Sequence, residues 1–139
     1  MKLAILVGGK GTRLGLKDIP KPMVLIGDKP LLHHQIDLAK KYKIRDIYLL
    51  SGYLANTIVS YFGDGTKFGL NIHHIIENSP LGTAGAIQQL SPFINEPFLV
   101  FNGDNLMEFN IEKFINKYFH NPTLASIVVQ PNDHPNECD

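Results

Sequence analysis

Residues 3–15, LAILVGGKGTRLG, decide the fold that the sequence predicts. The first five residues of this stretch are aliphatic, and glycines follow at positions 8, 9, 11 and 15. A short apolar run of this kind is typical of a buried parallel strand. The glycines after it let the backbone turn sharply and present successive N–H groups to an anion. The stretch therefore predicts a strand that leads into an anion-binding loop.

Four more short runs of aliphatic and β-branched residues follow along the chain, at 46–51, 70–76, 97–102 and 124–129. Apolar residues with helical spacing lie between these runs, after Pro30, from Leu54, from Thr83 and after Asn110. Strands that alternate with helices are typical of a mainly parallel sheet covered on both faces. The predicted fold class is therefore α/β, a Rossmann-like three-layer sandwich with a mainly parallel sheet, whose ligands bind outside the carboxyl ends of the strands.

Composition excludes several classes of protein. The chain has 139 residues, of which 44% are hydrophobic and 19% charged, and this is enough apolar material for a globular core. Thirteen basic residues balance thirteen acidic ones, so we expect no nucleic-acid or membrane partner. The single cysteine and the shortness of the apolar run at 3–7 predict a cytoplasmic protein. Self-association is left open.

Two common nucleotide-binding patterns do not match the glycine loop. The P-loop pattern GxxxxGK[ST] is absent, because Lys10 precedes Gly11 and no lysine stands at the required position. The dinucleotide pattern GxGxxG requires a glycine where Leu14 stands. The second strand ends in Ser-Gly-Tyr at 51–53, without the acidic residue that binds a ribose. The sequence therefore disfavours a nicotinamide-dependent oxidoreductase.

Two basic residues suggest what the loop binds. The planar guanidinium of Arg13 suits several phosphate oxygens at once. Lys21 adds a point charge, and its neighbours Pro20 and Pro22 restrict its backbone and help to aim it. We predict that both side chains neutralise a triphosphate. The alternative, a tight turn that carries two solvated cations, stays open.

The loop resembles the signature of a known family. GGKGTRLG followed by KPM is similar to the pattern GGxGTRL followed by KP of the sugar-1-phosphate nucleotidylyltransferases, or NDP-sugar pyrophosphorylases. PLGTAGA at 80–86 and NGD at 102–104 stand where that family has them, so the resemblance covers the whole chain. FGDGTKFGLNI and ENSPLGTAGAI look most like the branch of the mannose- and heptose-1-phosphate guanylyltransferases. Members of the family join a nucleoside triphosphate to a sugar 1-phosphate with Mg²⁺ and release pyrophosphate.

The resemblance implies a role for particular residues. It makes Arg13 and Lys21 catalytic and Asp104 a ligand of Mg²⁺. The residues that it assigns to nucleotide binding lie in the loops after the first and third strands: Val7, Gly8, Gly9, Gly11, Thr12, Arg13, Glu77, Pro80, Gly82 and Thr83.

Glu77 bears on the choice of base. Its carboxylate can accept from both N1–H and the 2-amino group of guanine, whereas uracil and thymine present one N–H between two carbonyl groups. The partners that this predicts are GTP and a sugar 1-phosphate. An exposed glutamate at the end of a strand is the alternative interpretation.

Asp104 ends the NGD stretch at the predicted carboxyl edge of the sheet. A carboxylate there can hold Mg²⁺ against phosphate oxygens, since this cation prefers oxygen ligands. The alternative is an aspartate that caps a turn or a helix.

The resemblance also implies that residues 1–139 are the nucleotide-binding, amino-terminal portion of a nucleotidyltransferase domain. A sugar-phosphate site and a second metal-binding aspartate have no counterpart here. The chain is then part of an enzyme that transfers GMP to heptose or mannose 1-phosphate. A catalytically inactive nucleotide-binding or regulatory form and a thymidylyl- or uridylyltransferase for a hexose 1-phosphate are the alternatives.

Overall fold

The computed structural model describes residues 1–9 and 18–129, which fall into two compact units divided between Glu108 and Phe109. The strands of the first unit, in chain order, are β1 (Lys2–Leu6), β2 (Leu25–Ile26), β3 (Lys29–Pro30), β4 (Asp46–Ser51), β5 (Asn71–Ile76) and β6 (Phe98–Asn102). Its α-helices are α1 (Leu31–Lys41), α2 (Ala55–Phe62) and α3 (Gly82–Gln88). No helix in the described part of the chain is long and apolar enough to cross a membrane.

Four strands form the central sheet, in the order β5-β4-β1-β6, and every neighbouring pair is parallel. The chain runs from β1 outward through β4 to β5 and then crosses back to β6 on the other side of β1. This reversal is a topological switch point, where ligands of such sheets bind at the carboxyl ends of the strands. The predicted parallel α/β sheet is confirmed.

The two faces of the sheet are covered by different helices. On one face Ala4, Tyr48 and Leu50 of the sheet pack against Ala86 of α3 and against Leu90 and Ile94, which follow that helix. Crossovers between parallel strands are right-handed as a rule. Since the chain leaves β1 and β4 in the opposite direction from β5, this rule puts α1 and α2 on the other face. Alternate residues of β1 and β4 point to that face and are fully buried: Leu3, Ile5, Ile47 and Leu49. The helices α1 and α2 also bury apolar side chains fully: Leu32, Ile36, Ile58 and Phe62.

The sequence prediction missed a small hairpin between β1 and α1. Strands β2 and β3 pair antiparallel around Gly27 and Asp28, and Gly27 has φ +67°. A Gly-Asp pair between short strands is a known hairpin signal, and here it follows the apolar residues Leu25 and Ile26. A 3-10 helix, Lys21–Met23, precedes the hairpin.

The loop between α2 and β5 is shaped by its own packing. Gly65 has φ +87°, and a Cβ atom there would lie 2.7 Å from Cγ1 of Ile72. The Asp64 carboxylate accepts from the backbone N–H of Thr66 at 3.0 Å, which lowers the pKa of Asp64. This part of FGDGTKFGLNI leads into the amino end of β5, away from the carboxyl edge of the sheet, so its glycine serves the fold.

The second unit contains helix α4 (Ile111–His120). The predicted start of this helix is confirmed, since the Asn110 side chain accepts from the N–H of Lys113 at 2.8 Å. The predicted strand at 124–129 is wrong. Among the described residues it pairs with no strand, and the side chains of Leu124, Ile127 and Val129 are almost fully exposed. Apolar, β-branched composition produces a strand only where a neighbouring strand pairs with it.

Candidate functional site

A cavity of about 850 Å³ lies at the carboxyl edge of the sheet, within the first unit. Its volume is in the range of small-molecule sites. Gly11, Thr12 and Arg13 lie outside the described residues. The cavity brings together all the other predicted site residues: Val7, Gly8, Gly9, Lys21, Glu77, Pro80, Gly82, Thr83 and Asp104.

The floor of the cavity is the end of β1. The N–H of Val7 donates to the carbonyl oxygen of Leu50 at 2.9 Å, which extends the pairing with β4 one residue beyond the strand. At Gly8 a Cβ atom would lie 2.9 Å from Oε1 of Glu77, and at Gly52 it would lie 2.9 Å from Cγ and Oε1 of the same side chain. Both glycines therefore leave room for the Glu77 side chain at the floor of the cavity.

Glu77 follows β5 and is held from two directions. Its backbone N–H donates to the carbonyl oxygen of Ser51 at 2.8 Å, and its Oε2 accepts from the N–H of Leu81 at 3.3 Å. The side chain is half-buried. The carboxylate thus lies between the first glycine loop and the loop after β5, where it lines the cavity.

Small, exposed residues at the start of α3 form one wall of the cavity. Gly82 has φ +69° and begins α3, as the sequence predicts. Pro80, Gly82 and Thr83 line the cavity and are exposed. Backbone without bulky side chains permits a flat ligand to lie close to this wall.

Lys21 reaches the cavity from the 3-10 helix. Its neighbours Pro20 and Pro22 are both buried, so the backbone on each side of the lysine is anchored. Its Nζ donates to Oδ2 of Asp104 at 2.8 Å, and the two side chains are 33% and 46% exposed. The structure therefore brings a predicted catalytic residue and the predicted metal ligand into direct contact.

Asp104 lies in a turn that presses against the end of β1. The N–H of Gly103 donates to the carbonyl oxygen of Leu6 at 2.9 Å, and the N–H of Asn105 donates to that of Asn102 at 3.3 Å. A Cβ atom on Gly103 would lie 2.6 Å from the Leu6 oxygen. The turn thus needs glycine at 103 for close packing, and this packing places the next residue at the cavity.

Sequence analysis missed Gln35 on α1. This side chain is 2% exposed, and its Nε2 donates to the carbonyl oxygens of Asn102 and Asn105, at the two ends of the Asp104 turn. One signal could have found it. Gln35 is the polar member of the helix face that also buries Leu32, Ile36 and Ala39.

The carboxylate of Asp104 is an oxygen donor of the kind that Mg²⁺ prefers. The described residues contain no group of three His, Cys, Asp or Glu side chains that could enclose a metal ion. Mg²⁺ does not require such a cage, since proteins commonly bind it through one or two carboxylates together with substrate phosphates. The exposed carboxylate of Asp104, at the cavity wall, offers an oxygen ligand of this kind.

Known proteins resemble the chain in sequence and in fold. A D-glycero-alpha-D-manno-heptose 1-phosphate guanylyltransferase of Campylobacter jejuni is 41% identical over 81% of this chain and 52% of its own length. A UTP--glucose-1-phosphate uridylyltransferase of Synechocystis is 32% identical over 94% of this chain and 37% of its own length. The crystal structure of HddC from Yersinia pseudotuberculosis complexed with GMP-PN has a TM-score of 0.77 and 38% identity, over 84% of this chain and 53% of that one.

The chain spans about half the length of HddC and of the Campylobacter jejuni relative. The model of the family described as Nucleotidyl transferase matches residues 2–137. That match covers nearly the whole chain and includes the parallel sheet and every residue of the cavity. The chain belongs to the nucleotidyl transferase family, and its similarity to heptose- and mannose-1-phosphate guanylyltransferases places it with the sugar-1-phosphate nucleotidyltransferases.

Proposed function

We propose that this chain forms the nucleotide-binding half of an enzyme that transfers GMP from GTP to heptose or mannose 1-phosphate. One observation carries the proposal: a cavity at the switch point of the sheet is lined by the glycines that follow β1, by Glu77 and by the pair formed by Lys21 and Asp104. The guanylyltransferase of Campylobacter jejuni and the structure of HddC with GMP-PN support the guanine nucleotide.

The reaction needs little proton transfer. A phosphate oxygen of the sugar 1-phosphate attacks the α-phosphorus of GTP, and the bond from that phosphorus to the bridging oxygen of the β-phosphate breaks. Pyrophosphate leaves with the electron pair of this bond. Because the attacking oxygen is already anionic, the protein contributes by positioning the reactants and stabilising charge.

The residues divide these tasks. Backbone N–H groups of Gly8 and Gly9, together with Gly11 and Thr12, would cradle phosphate oxygens. Arg13 would bind the triphosphate, and Lys21 would stabilise the charge at the α-phosphate. Asp104 would hold Mg²⁺, which supplies charge neutralisation at the phosphate oxygens when bound.

Base recognition falls to Glu77 in this proposal. Its carboxylate already lies over Gly8 and Gly52, so a base beside it would also contact the end of β1. Guanine offers that carboxylate two adjacent donors. A pyrimidine nucleotide is the alternative substrate, because one of the relatives is a uridylyltransferase.

Incubation of the chain with GTP, Mg²⁺ and mannose or heptose 1-phosphate, with detection of pyrophosphate, tests the proposal. Pyrophosphate that forms only with GTP supports it, and pyrophosphate that forms only with UTP or TTP supports a pyrimidine nucleotidyltransferase. GTP binding by calorimetry without pyrophosphate agrees with a nucleotide-binding half that does not turn over by itself, and equally with a regulatory form. Binding of no nucleoside triphosphate would contradict all three functions.

A further inference from the structure

A side chain of helix α1 supports the turn at 102–105, which follows strand β6. The N–H of Asn105 donates to the carbonyl oxygen of Asn102 and closes the turn, with Asp104 at its third position. Each of the two carbonyl groups at the ends of the turn also accepts a hydrogen bond from Nε2 of Gln35. Gln35 belongs to α1, and 67 residues separate it from Asn102.

The burial of Gln35 shows which of its atoms matter. Its side chain is 2% exposed, and its buried Oε1 has no hydrogen-bond partner among the residues that the structure describes. A buried amide that leaves its acceptor unpaired pays a desolvation cost, of which the two donated bonds must offset a part. A primary amide has two N–H donors on one nitrogen, and the turn offers an acceptor for each. The donor half of the amide is therefore the part that the structure uses.

We propose that Gln35 is a positioning residue, which holds the carboxylate of Asp104 in place by bonding the turn at both ends. Gln35 itself does not line the cavity, so it acts through the turn. Two contacts with β1 also hold the turn, the pairing of Asn102 with Leu6 in the sheet and the bond from Gly103 to Leu6, and both lie at its amino-terminal end. The amide of Gln35 also bonds the carboxyl-terminal end of the turn, at Asn105, and this second attachment fixes the direction in which Asp104 faces Lys21. The consequence for metal binding rests on the proposed function, whereas the rigidity of the turn does not.

A matched pair of variants in the full chain tests the inference. Gln35→Met keeps the length and volume of the side chain and removes both donors. Ile36→Val shortens the next residue of α1, which is fully buried and forms no hydrogen bond through its side chain. Both variants change a buried side chain of α1, but only the first takes hydrogen bonds from the turn. If Gln35→Met fails to fold, Gln35→Asn, which keeps the amide and withdraws it by one methylene group, takes its place.

Two measurements separate the rigidity of the turn from its role in binding. The first is hydrogen exchange at the amides of Gly103 and Asn105 without ligand. The second is the affinity for GTP at increasing Mg²⁺ concentration and in EDTA. For Gln35→Met we expect exchange at both amides to become roughly tenfold faster, because the lost hydrogen bonds lower the free energy of local opening. We also expect the Mg²⁺ concentration for half-maximal enhancement of GTP binding to rise about 10- to 100-fold, as for other residues that support a metal ligand. Binding in EDTA should not change.

Each outcome decides one part of the inference. If exchange in Gln35→Met equals that in Ile36→Val, Gln35 does not hold the turn and the inference is wrong. If exchange is faster but the Mg²⁺ dependence is unchanged, Gln35 supports the turn without serving the site, and the positioning role is wrong. If the wild-type chain binds GTP with no effect of Mg²⁺, the proposed function fails instead, and the exchange data still decide whether Gln35 holds the turn.

Discussion

Lys21 and Asp104 lie 83 residues apart in the chain, and their Nζ and Oδ2 atoms are 2.8 Å apart. One comes from a proline-framed 3-10 helix and the other from the turn after β6. Each is about one third to one half exposed, so water and salt screen their attraction. Such a pair contributes about 0–1 kcal/mol to stability, which is too little to make the pair a stabilising device. The position of the two side chains in the cavity explains the pair better than a contribution to stability does.

Replacement of the Asp104 carboxylate should therefore weaken ligand binding and leave stability nearly unchanged. We expect Asp104→Asn to weaken Mg²⁺-dependent GTP binding by at least about tenfold, or about 1.4 kcal/mol, because the amide is a poorer ligand for the cation. Calorimetry with and without Mg²⁺ measures this change. The unfolding temperature should change little, since the lost ion pair is exposed.

Glu96→Gln is the matched control for Asp104→Asn. Glu96 forms the comparable exposed pair with Lys2 at 3.3 Å, and it precedes β6 at the opposite end of that strand. We expect this variant to bind GTP and Mg²⁺ as the wild type does. Equal losses in both variants would mean that the effect is one of net charge and that Asp104 has no special role.

Glu77 is expected to determine the preference for guanine. Hydrogen bonds to a charged acceptor contribute about 1.5–3 kcal/mol, so Glu77→Gln should lower affinity for GTP roughly 10- to 100-fold and narrow its advantage over UTP. Competition binding with GTP, ITP and UTP measures this. ITP lacks the 2-amino group, so the wild type should prefer GTP to ITP and the variant should lose that preference. An unchanged ratio of the three affinities would remove Glu77 from base recognition.

Gly103 is expected to be required for packing. A Cβ atom there would lie 2.6 Å from both the Leu6 oxygen and Cγ1 of Val7, and neither the backbone nor a buried valine can move freely. We expect Gly103→Ala to cost about 1–3 kcal/mol of unfolding free energy, measured by thermal and denaturant unfolding. In Gly9→Ala the new methyl group meets no described atom within 4 Å, so stability should be close to that of the wild type. Equal stability of the two variants would contradict the prediction.

His33 is expected to make stability depend on pH. Burial lowers the pKa of His33 below its usual 6.5 and outweighs the opposing effect of Asp37, whose Oδ1 lies 3.7 Å from Nε2. Around the ring lie the Tyr61 hydroxyl, 3.1 Å from Nδ1, and the ring of Phe68. The folded protein therefore binds fewer protons than the unfolded chain below about pH 6.5, so unfolding free energy should fall as the pH decreases from there to the pKa in the folded state.

Denaturant unfolding of the wild type and of His33→Gln between pH 7.5 and pH 5 checks this sign. We expect the variant to lose the part of the slope that His33 contributes. Asp37 and Asp64, whose pKa values are lowered, act in a lower range, because their contribution is lost only as the pH falls below about 4. Parallel curves for the two proteins above pH 5 would show that His33 is not the cause.

Local signals in the sequence predicted most of the elements. The apolar runs at 46–51 and 70–76 are strands within one residue of the predicted bounds, and helices begin directly after Pro30 and Asn110 as predicted. These elements depend on periodicity, proline and capping side chains, all of which act over a few residues. The run at 124–129 had the same composition, but a strand also needs a partner, and no local signal reports one.

The sequence by itself determined that a strand leads into a glycine loop, that prolines frame Lys21 and that NGD ends a strand. Only the tertiary structure decided that Lys21 contacts Asp104, that Glu77 lies over Gly8 and Gly52, and that Gln35 bonds the Asp104 turn. The physical reason is the strand order. β6 lies beside β1, and β5 lies two strands from β1 on its other side. This order decides which of the loops at the carboxyl edge of the sheet lie close enough to form one site. Long-range pairing of this kind leaves no trace in the periodicity of the segments that take part in it.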